Sequence, residues 1–257
     1  MTEGQAGSPE GNGTTLLEGR RVSKAFGGLQ ALNSVDFQIR QGEIVGLIGP
    51  NGSGKTTLFN CISGMLPVDS GQVIFRGETI TNQKPFRIAR AGLARTFQVL
   101  RVYGQMTVME NMLMSQQWQG KSTRHMLRAS DQATYERALE LLDFVTLSHM
   151  QGEVAANLSL GQQRLLELAM ALMPDPDIIL LDEATAGVNP VRIGEIKDHI
   201  RELHARGVTV FLIEHNMDVV FDLCERLYVL HHGELLAEGL PEDIRRDETV
   251  IEAYFGH

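Results

Sequence analysis

Gly49-Pro50-Asn51-Gly52-Ser53-Gly54-Lys55-Thr56 fits the pattern G-x-x-x-x-G-K-[ST], a loop whose backbone wraps phosphate oxygens. Its surroundings suit that reading. Glu43-Ile44-Val45-Gly46-Leu47-Ile48 before it reads as a short apolar strand, and Leu58, Phe59, Ile62 and Met65 after it recur at helical spacing. Strand, loop and helix in that order turn a helix N-terminus, a ready anion site, toward the loop. Gly49, Gly52 and Gly54 let backbone N–H groups point inward without Cβ clashes. Lys55 would neutralise β- and γ-phosphates, and Thr56 offers a hydroxyl to Mg²⁺. With Thr57, these residues are the set expected to contact a nucleoside triphosphate.

Composition narrows what surrounds this loop. With 257 residues and 43% hydrophobic content, the chain can bury a full core. A formal charge of −9 argues against a nucleic-acid surface, which needs a basic face. The sequence has no apolar run near the roughly 18 residues of a membrane span and no signal-peptide pattern, so a soluble cytosolic chain is expected. Met1 to Thr15 is rich in Gly, Ser, Thr and Glu and reads as a disordered leader, leaving 16–257 as one domain. Cys61 and Cys224 have no metal-ligand spacing, and two unpaired thiols fit a reducing compartment.

The remaining pattern is that of an α/β protein. Val35, Phe37 and Ile39 alternate with polar residues, and Gln72 to Arg76 repeats a strand-like pattern, which predicts antiparallel strands beside the nucleotide strand. From about Arg87 to Met173 helical signals dominate, with a Thr107-x-x-Glu110 capping box, which predicts a helical insertion at about 95–173. Ile178 to Leu181, Val208 to Ile213 and Leu227 to Leu230 are continuous apolar strands between helices, the mark of a parallel sheet covered on both faces.

The apolar strand at 178–181 ends in Asp182-Glu183, at the carboxyl edge where ligands of open α/β sheets bind and where the phosphate loop opens. An aspartate there supports Mg²⁺, and a carboxylate beside it can orient and polarise water. We therefore assign Asp182 to the metal and Glu183 to the water. Upstream, Ser159 and Gln162 have capping-box spacing ahead of a helix through Leu165, Leu168, Ala169 and Leu172.

A phosphate loop, Gln98 after a Thr-Phe pair, the Ser159-Leu160-Gly161-Gln162 helix start and an apolar strand with Asp-Glu occur in one order from about Leu16 to the C-terminus. That order resembles the ATP-binding cassette ATPases. The resemblance implies their fold: a phosphate-loop NTPase core with a parallel sheet, an antiparallel β subdomain and an inserted α-helical subdomain. It implies ATP and Mg²⁺ as ligands and a second cassette, identical or paralogous, bound head to tail. Ser159, Gly161 and Gln162 would then face the γ-phosphate held by the other chain. His215, after the strand at 208–213, would act at the γ-phosphate with Glu183. Gln98 would join Thr56 and Asp182 at the metal and also serve catalysis. Phe26, a few residues before the first strands, resembles the aromatic that stacks on adenine; its alternative is a core position. Leu160 stands where the family usually has glycine, with Gly161, which allows close approach, retained; Ala184 and Asn189 also depart from the usual residues, and neither removes a catalytic group.

Val22 to Phe26, Arg95-Thr96-Phe97-Gln98, Ile213-Glu214-His215-Asn216-Met217 and Val250 to Gly256 are similar to ATPases of the branched-chain amino-acid uptake group. That resemblance implies an ATP-hydrolysing subunit peripheral to the inner face of the cell membrane. It would work with integral permease subunits and, through them, a periplasmic solute-binding protein, with no nucleic acid. The rival reading is a soluble cassette that acts on nucleic acid or ribosomes, but such proteins generally add a second cassette, a coiled coil or basic extensions, absent here. Met106, Met109, Met112 and Met114 lie where the family docks a helix of its membrane partner; they read equally as an adaptable groove or as core of the helical subdomain.

Overall fold

The computed structural model describes residues 13–96, 102–116 and 132–255. The long strands β1 (Thr15–Phe26) and β2 (Leu29–Arg40) pair antiparallel. The apolar strand before the phosphate loop is β3 (Ile44–Ile48). It is followed by β4 (Ser70–Phe75), β5 (Glu78–Thr79) and the short β6 (Leu93–Arg95). β7 (Ile178–Asp182), β8 (Thr209–Ile213), β9 (Arg226–His231) and β10 (Glu234–Gly239) complete the set.

Two sheets result. The antiparallel strands stand in the order β2-β1-β4-β5, and the second sheet has six strands in the order β10-β9-β3-β8-β7-β6. The antiparallel strands thus form their own layer rather than extending the sheet of β3. The reason lies in alternation: Leu17, Val22, Val35, Phe37 and Ile39 present one apolar face, which must be covered by another layer.

Every residue of β3, β7 and β8 is buried, and successive residues serve opposite cores. Val45, Leu47, Leu180, Phe211, Ile213 and Tyr228 pack with the antiparallel sheet and the helix Lys55–Ile62. Ile44, Ile48, Ile179, Leu181, Val210, Leu212 and Val229 pack with the helical part on the other face. β3, β7, β8 and β9 run parallel, and β10 is an antiparallel edge. A strand buried on both faces has no polar side to show, which is why these runs read as unbroken apolar stretches.

Four expectations change. β6 lies inside the region read as helical, pairing parallel with β7 through Leu93, Ala94 and Arg95; three residues are too few to carry a period. Phe26 does not precede the first strands but is the last residue of β1. Met109 and Met112, at 8% and 0% exposure, belong to the core of the helical part, so the core reading holds for them, while Met114 is 55% exposed. The sheet strand β1 also begins at Thr15, inside the stretch read as a leader.

The helical part contains helices Val108–Ser115, Gln132–Phe144 and Leu160–Leu172 among the described residues. Both predicted capping boxes form, at Thr107 with Glu110 and at Ser159 with Gln162.

Candidate active site

The phosphate loop connects β3 to the helix Lys55–Ile62, and two of its glycines are sterically obligatory. Gly49 has φ +150, and a Cβ there would lie 2.0 Å from the Leu230 carbonyl oxygen. Gly54 caps the helix at φ +108, where a Cβ would meet the Ala31 oxygen at 2.5 Å. Both obstacles are backbone, so neither can yield to a rotamer change. The helix has no side-chain cap and no acidic residue in its first turn, which leaves its N-terminal N–H groups and dipole open to an anion.

Lys55 is buried, and its Nζ donates to the Gly49 oxygen at 2.7 Å and the Pro50 oxygen at 2.9 Å. The cation thus already lies along the loop, held by neutral acceptors that phosphate oxygens can replace. Burial pushes the Lys55 ammonium below its ordinary value, opposed by the carboxylates of Glu183 and then Asp182. Asn51, Gly52 and Thr56 are exposed, Thr57 is half-buried, and the Ser53 side chain turns inward. The loop is held from behind by the β9–β10 turn, where Gly233 N–H donates to the Ser53 oxygen at 2.9 Å.

Asp182 ends β7 and is 1% exposed. Its Oδ2 accepts from Arg95 Nη2 at 2.8 Å in a pair whose side chains are both nearly inaccessible. Arg95 Nη1 also donates to Asn60 Oδ1 at 2.9 Å and Ser63 Oγ at 2.8 Å, which ties Asp182 to the helix behind the loop. Asp182 Oδ1, in contrast, is buried with no hydrogen-bond partner among the described residues. A buried carboxylate oxygen left unsatisfied is costly in a protein interior and suits a hydrated hard cation. No group of three or more His, Cys, Asp and Glu side chains that could hold a metal ion exists among the described residues.

Glu183 follows in left-handed backbone conformation, φ 53, which costs a non-glycine residue about 1–3 kcal/mol. Its Oε1 lies 2.9 Å from His215 Nε2, and its N–H donates to the Ile213 oxygen at 2.9 Å. Glu183 is largely buried and the His215 side chain is 47% exposed, so the pair stands at the rim of the sheet edge. A carboxylate and an imidazole joined this way can take a proton from water and hold it.

Other candidates lie elsewhere. Ser159 and Leu160 are exposed, whereas Gly161 is buried against Val188 and Arg192 of its own chain. Gln162 folds back on Ser159, accepting from the Ser159 N–H and Oγ at 2.9 Å each. Phe26 is 44% exposed, which removes the core alternative, and Lys24 Nζ sits 5.4 Å from its ring centroid. Gln98 lies outside the described residues. Asn189 caps the helix Pro190–Ala205 as well as an aspartate would.

Sequence reasoning missed Arg95 and Glu214: Glu214 is a charge just after the apolar strand β8, whereas β6, which ends at Arg95, is too short to signal it. Tyr254, on the helix Glu248–Phe255, also reaches the loop. Burial pushes its hydroxyl up to about 12, opposed by a backbone hydrogen bond at Gly49.

The sequence and the fold agree with known proteins. The family described as "ABC transporter" matches residues 32–186, and "Branched-chain amino acid ATP-binding cassette transporter" matches 234–257. A high-affinity branched-chain amino acid transport ATP-binding protein, LivG of Salmonella typhimurium, is 41% identical over 250 residues, covering 94% of this chain and 98% of that protein. A crystal structure of the ADP conformation of an ABC transporter cassette superposes with a TM-score of 0.86 at 37% identity, covering 95% of this chain and all of that one. A dimeric cassette in a post-hydrolysis state, bound to ADP and Pi, superposes with a TM-score of 0.76 at 26% identity over 88% of this chain and 99% of that one. A phosphate loop and a carboxylate–histidine pair at one sheet edge, in a chain with these relatives, make it a member of the ATP-binding cassette ATPases of ABC transporters.

Proposed function

We propose that the chain hydrolyses MgATP to power an importer of branched-chain amino acids or related small molecules. The observation that carries this reading is the meeting of Lys55, Asp182, Glu183 and His215 at the carboxyl edge of one sheet, with Glu183 and His215 2.9 Å apart. Lys55 would exchange the Gly49 and Pro50 carbonyls for phosphate oxygens, keeping its charge on the triphosphate. Phe26 would present its exposed ring to the base, and loop residues 49–57 would take the phosphates. Thr56, Asp182 through Oδ1 and Gln98 would hold Mg²⁺, which neutralises phosphate charge when bound. Glu183 would accept the proton of the attacking water, and His215 would hold that carboxylate in place.

The exposed Ser159 turn supports a second cassette as partner, because an anion brought by another chain can reach it. Ser159, Gly161 and Gln162 would then complete the partner's site. Permease subunits would dock on the helical side. The exposed Met114 and a groove lined by Met65, Pro85, Ala89, Met170 and Pro174 support that placement. No helix among the described residues is long and apolar enough to cross a membrane, so attachment to the inner face would run through the permease, and the periplasmic binding protein would act only through it.

Glu183→Gln tests the reading. The amide keeps the shape and removes the charge, so turnover should fall about a hundredfold or more while ATP still binds. Wild-type hydrolysis by this variant would reject the assignment. Uptake of labelled leucine against labelled amides and urea, in cells with and without the gene, would identify the transported class.

A further inference from the structure

β7 and β8 continue past their ends as two chain segments joined residue by residue. Glu183 N–H donates to the Ile213 oxygen at 2.9 Å, and His215 Nε2 meets Glu183 Oε1 at 2.9 Å. Between Ile213 and His215 stands Glu214, 6% exposed, whose carboxylate is turned the other way. Its Oε1 accepts from Thr185 N–H at 2.8 Å and its Oε2 from Thr185 Oγ1 at 2.9 Å. Thr185 is itself 5% exposed, so water does not compete for these bonds. The His215 backbone N–H also donates to the Glu214 carboxylate. One buried side chain therefore fastens the turn that carries Glu183 to the segment that carries His215.

That fastening has a task. Glu183 is held in left-handed conformation, which persists only where the surroundings over-determine it. A buried carboxylate in an apolar interior is costly unless its hydrogen bonds are made, and both oxygens of Glu214 accept from these two segments. We propose that Glu214 is a positioning residue for hydrolysis, locking the Glu183–Thr185 turn against His215 so that the carboxylate and imidazole keep their reacting geometry. The proposal rests on the reading of Glu183 and His215 as the hydrolytic pair. The bonds of the Glu214 carboxylate run to Thr185 and His215, so its effect on hydrolysis would pass through the segments that carry Glu183 and His215.

The test compares two replacements in the full-length chain. Glu214→Leu keeps the bulk and removes the acceptors; kcat should fall about tenfold or more while ATP affinity, read by titration with labelled ATP, stays within about twofold. Glu214→Gln can still accept from Thr185 N–H and donate to its hydroxyl, so kcat should stay within about threefold of wild type. In a Glu183→Gln background, Glu214→Leu should cause no further loss, because it acts through the group already removed. Wild-type turnover of Glu214→Leu would overturn the proposal, as would a fall in ATP affinity matching the fall in kcat or an additive loss in the Glu183→Gln background. Should Glu214→Leu fail to fold, Thr185→Val removes the hydroxyl donor at equal bulk. It should lower kcat about threefold with unchanged affinity, and a wild-type rate would be equally damaging. Full activity of Glu183→Gln alone would instead reject the hydrolytic reading itself.

Discussion

Two helix starts in this chain can receive an anion, and they are built in opposite ways. At Lys55–Ile62 the cap is a glycine with no side chain, so the first N–H groups face the loop unclaimed. At Leu160–Leu172 the cap is Ser159, whose hydroxyl and Gln162 partner occupy the N-terminal groups in a closed capping box. The first is an open receptor prepared inside one chain. The second has two of its N-terminal groups engaged by the Ser159–Gln162 box and stands exposed, so an anion would approach it from outside the chain.

The contrast extends to the side chains around each helix. Those near the loop edge are polar and poised, while those of the helical part fill a core. Met112→Glu should therefore have the largest effect, burying a charge with no partner at a fully inaccessible position and costing about 3 kcal/mol or more of stability. Met114→Glu, at an exposed position on the same helix, should stay within about 0.5 kcal/mol. Denaturant unfolding separates the two, and equal losses would mean that both methionines are core.

Lys55→Ala should come next. Removing the cation that the two carbonyls hold along the loop should weaken MgATP binding by about 1.5–3 kcal/mol, roughly tenfold to a hundredfold, with the fold intact. Unchanged affinity in an equilibrium titration would break the comparison at its first term. Ser159→Ala should cost about 1 kcal/mol of stability, the ordinary value of an N-cap, and should leave ATP affinity of the single chain unaltered. A loss of affinity in dilute monomer would show that the second helix start serves its own chain's nucleotide.

The smallest expected effect is a slope. Burial raises the Glu214 carboxyl above its ordinary value; hydrogen bonds from Thr185 and His215 oppose this, and the nearby Glu183 charge adds to it. A carboxyl raised in this way binds its proton more tightly folded than unfolded. Its stabilising share is present below the ordinary glutamate value and is lost as pH rises through the interval above it. Glu214→Gln should flatten that part of the stability profile, measured as denaturant midpoints from about pH 4 to pH 8. Parallel profiles for the two proteins would show that Glu214 titrates no differently in the folded chain.

Much of the site could be read from local order alone. Glycine spacing, a lysine and a threonine made the phosphate loop legible because they fall within eight consecutive residues between an apolar strand and a helical run. The placement of Asp182 and Glu183 was legible because the unbroken apolar run of β7 ends there, which sets both carboxylates at the carboxyl end of a parallel strand. The two capping boxes were legible because their hydrogen bonds span three residues. Met109, Met112 and Met114 were not separable in the same way, since burial depends on which helix face meets Leu141, Leu142 and Leu165.

What the sequence by itself determined is thus the inventory: a phosphate loop, unbroken apolar strands that demand cover on both faces, and helix starts with their caps. Contacts between residues far apart along the chain were left to the tertiary structure. Arg95 reaches Asp182 across β6 and β7, Glu214 reaches Thr185 across the ends of β7 and β8, and His215 closes on Glu183. Antiparallel strands became a separate layer, and Phe26 moved to the end of β1 with its ring exposed. The physical reason is range: dihedral preferences and caps act over a few residues, whereas a buried charge takes its meaning only from the partner that packing brings to it.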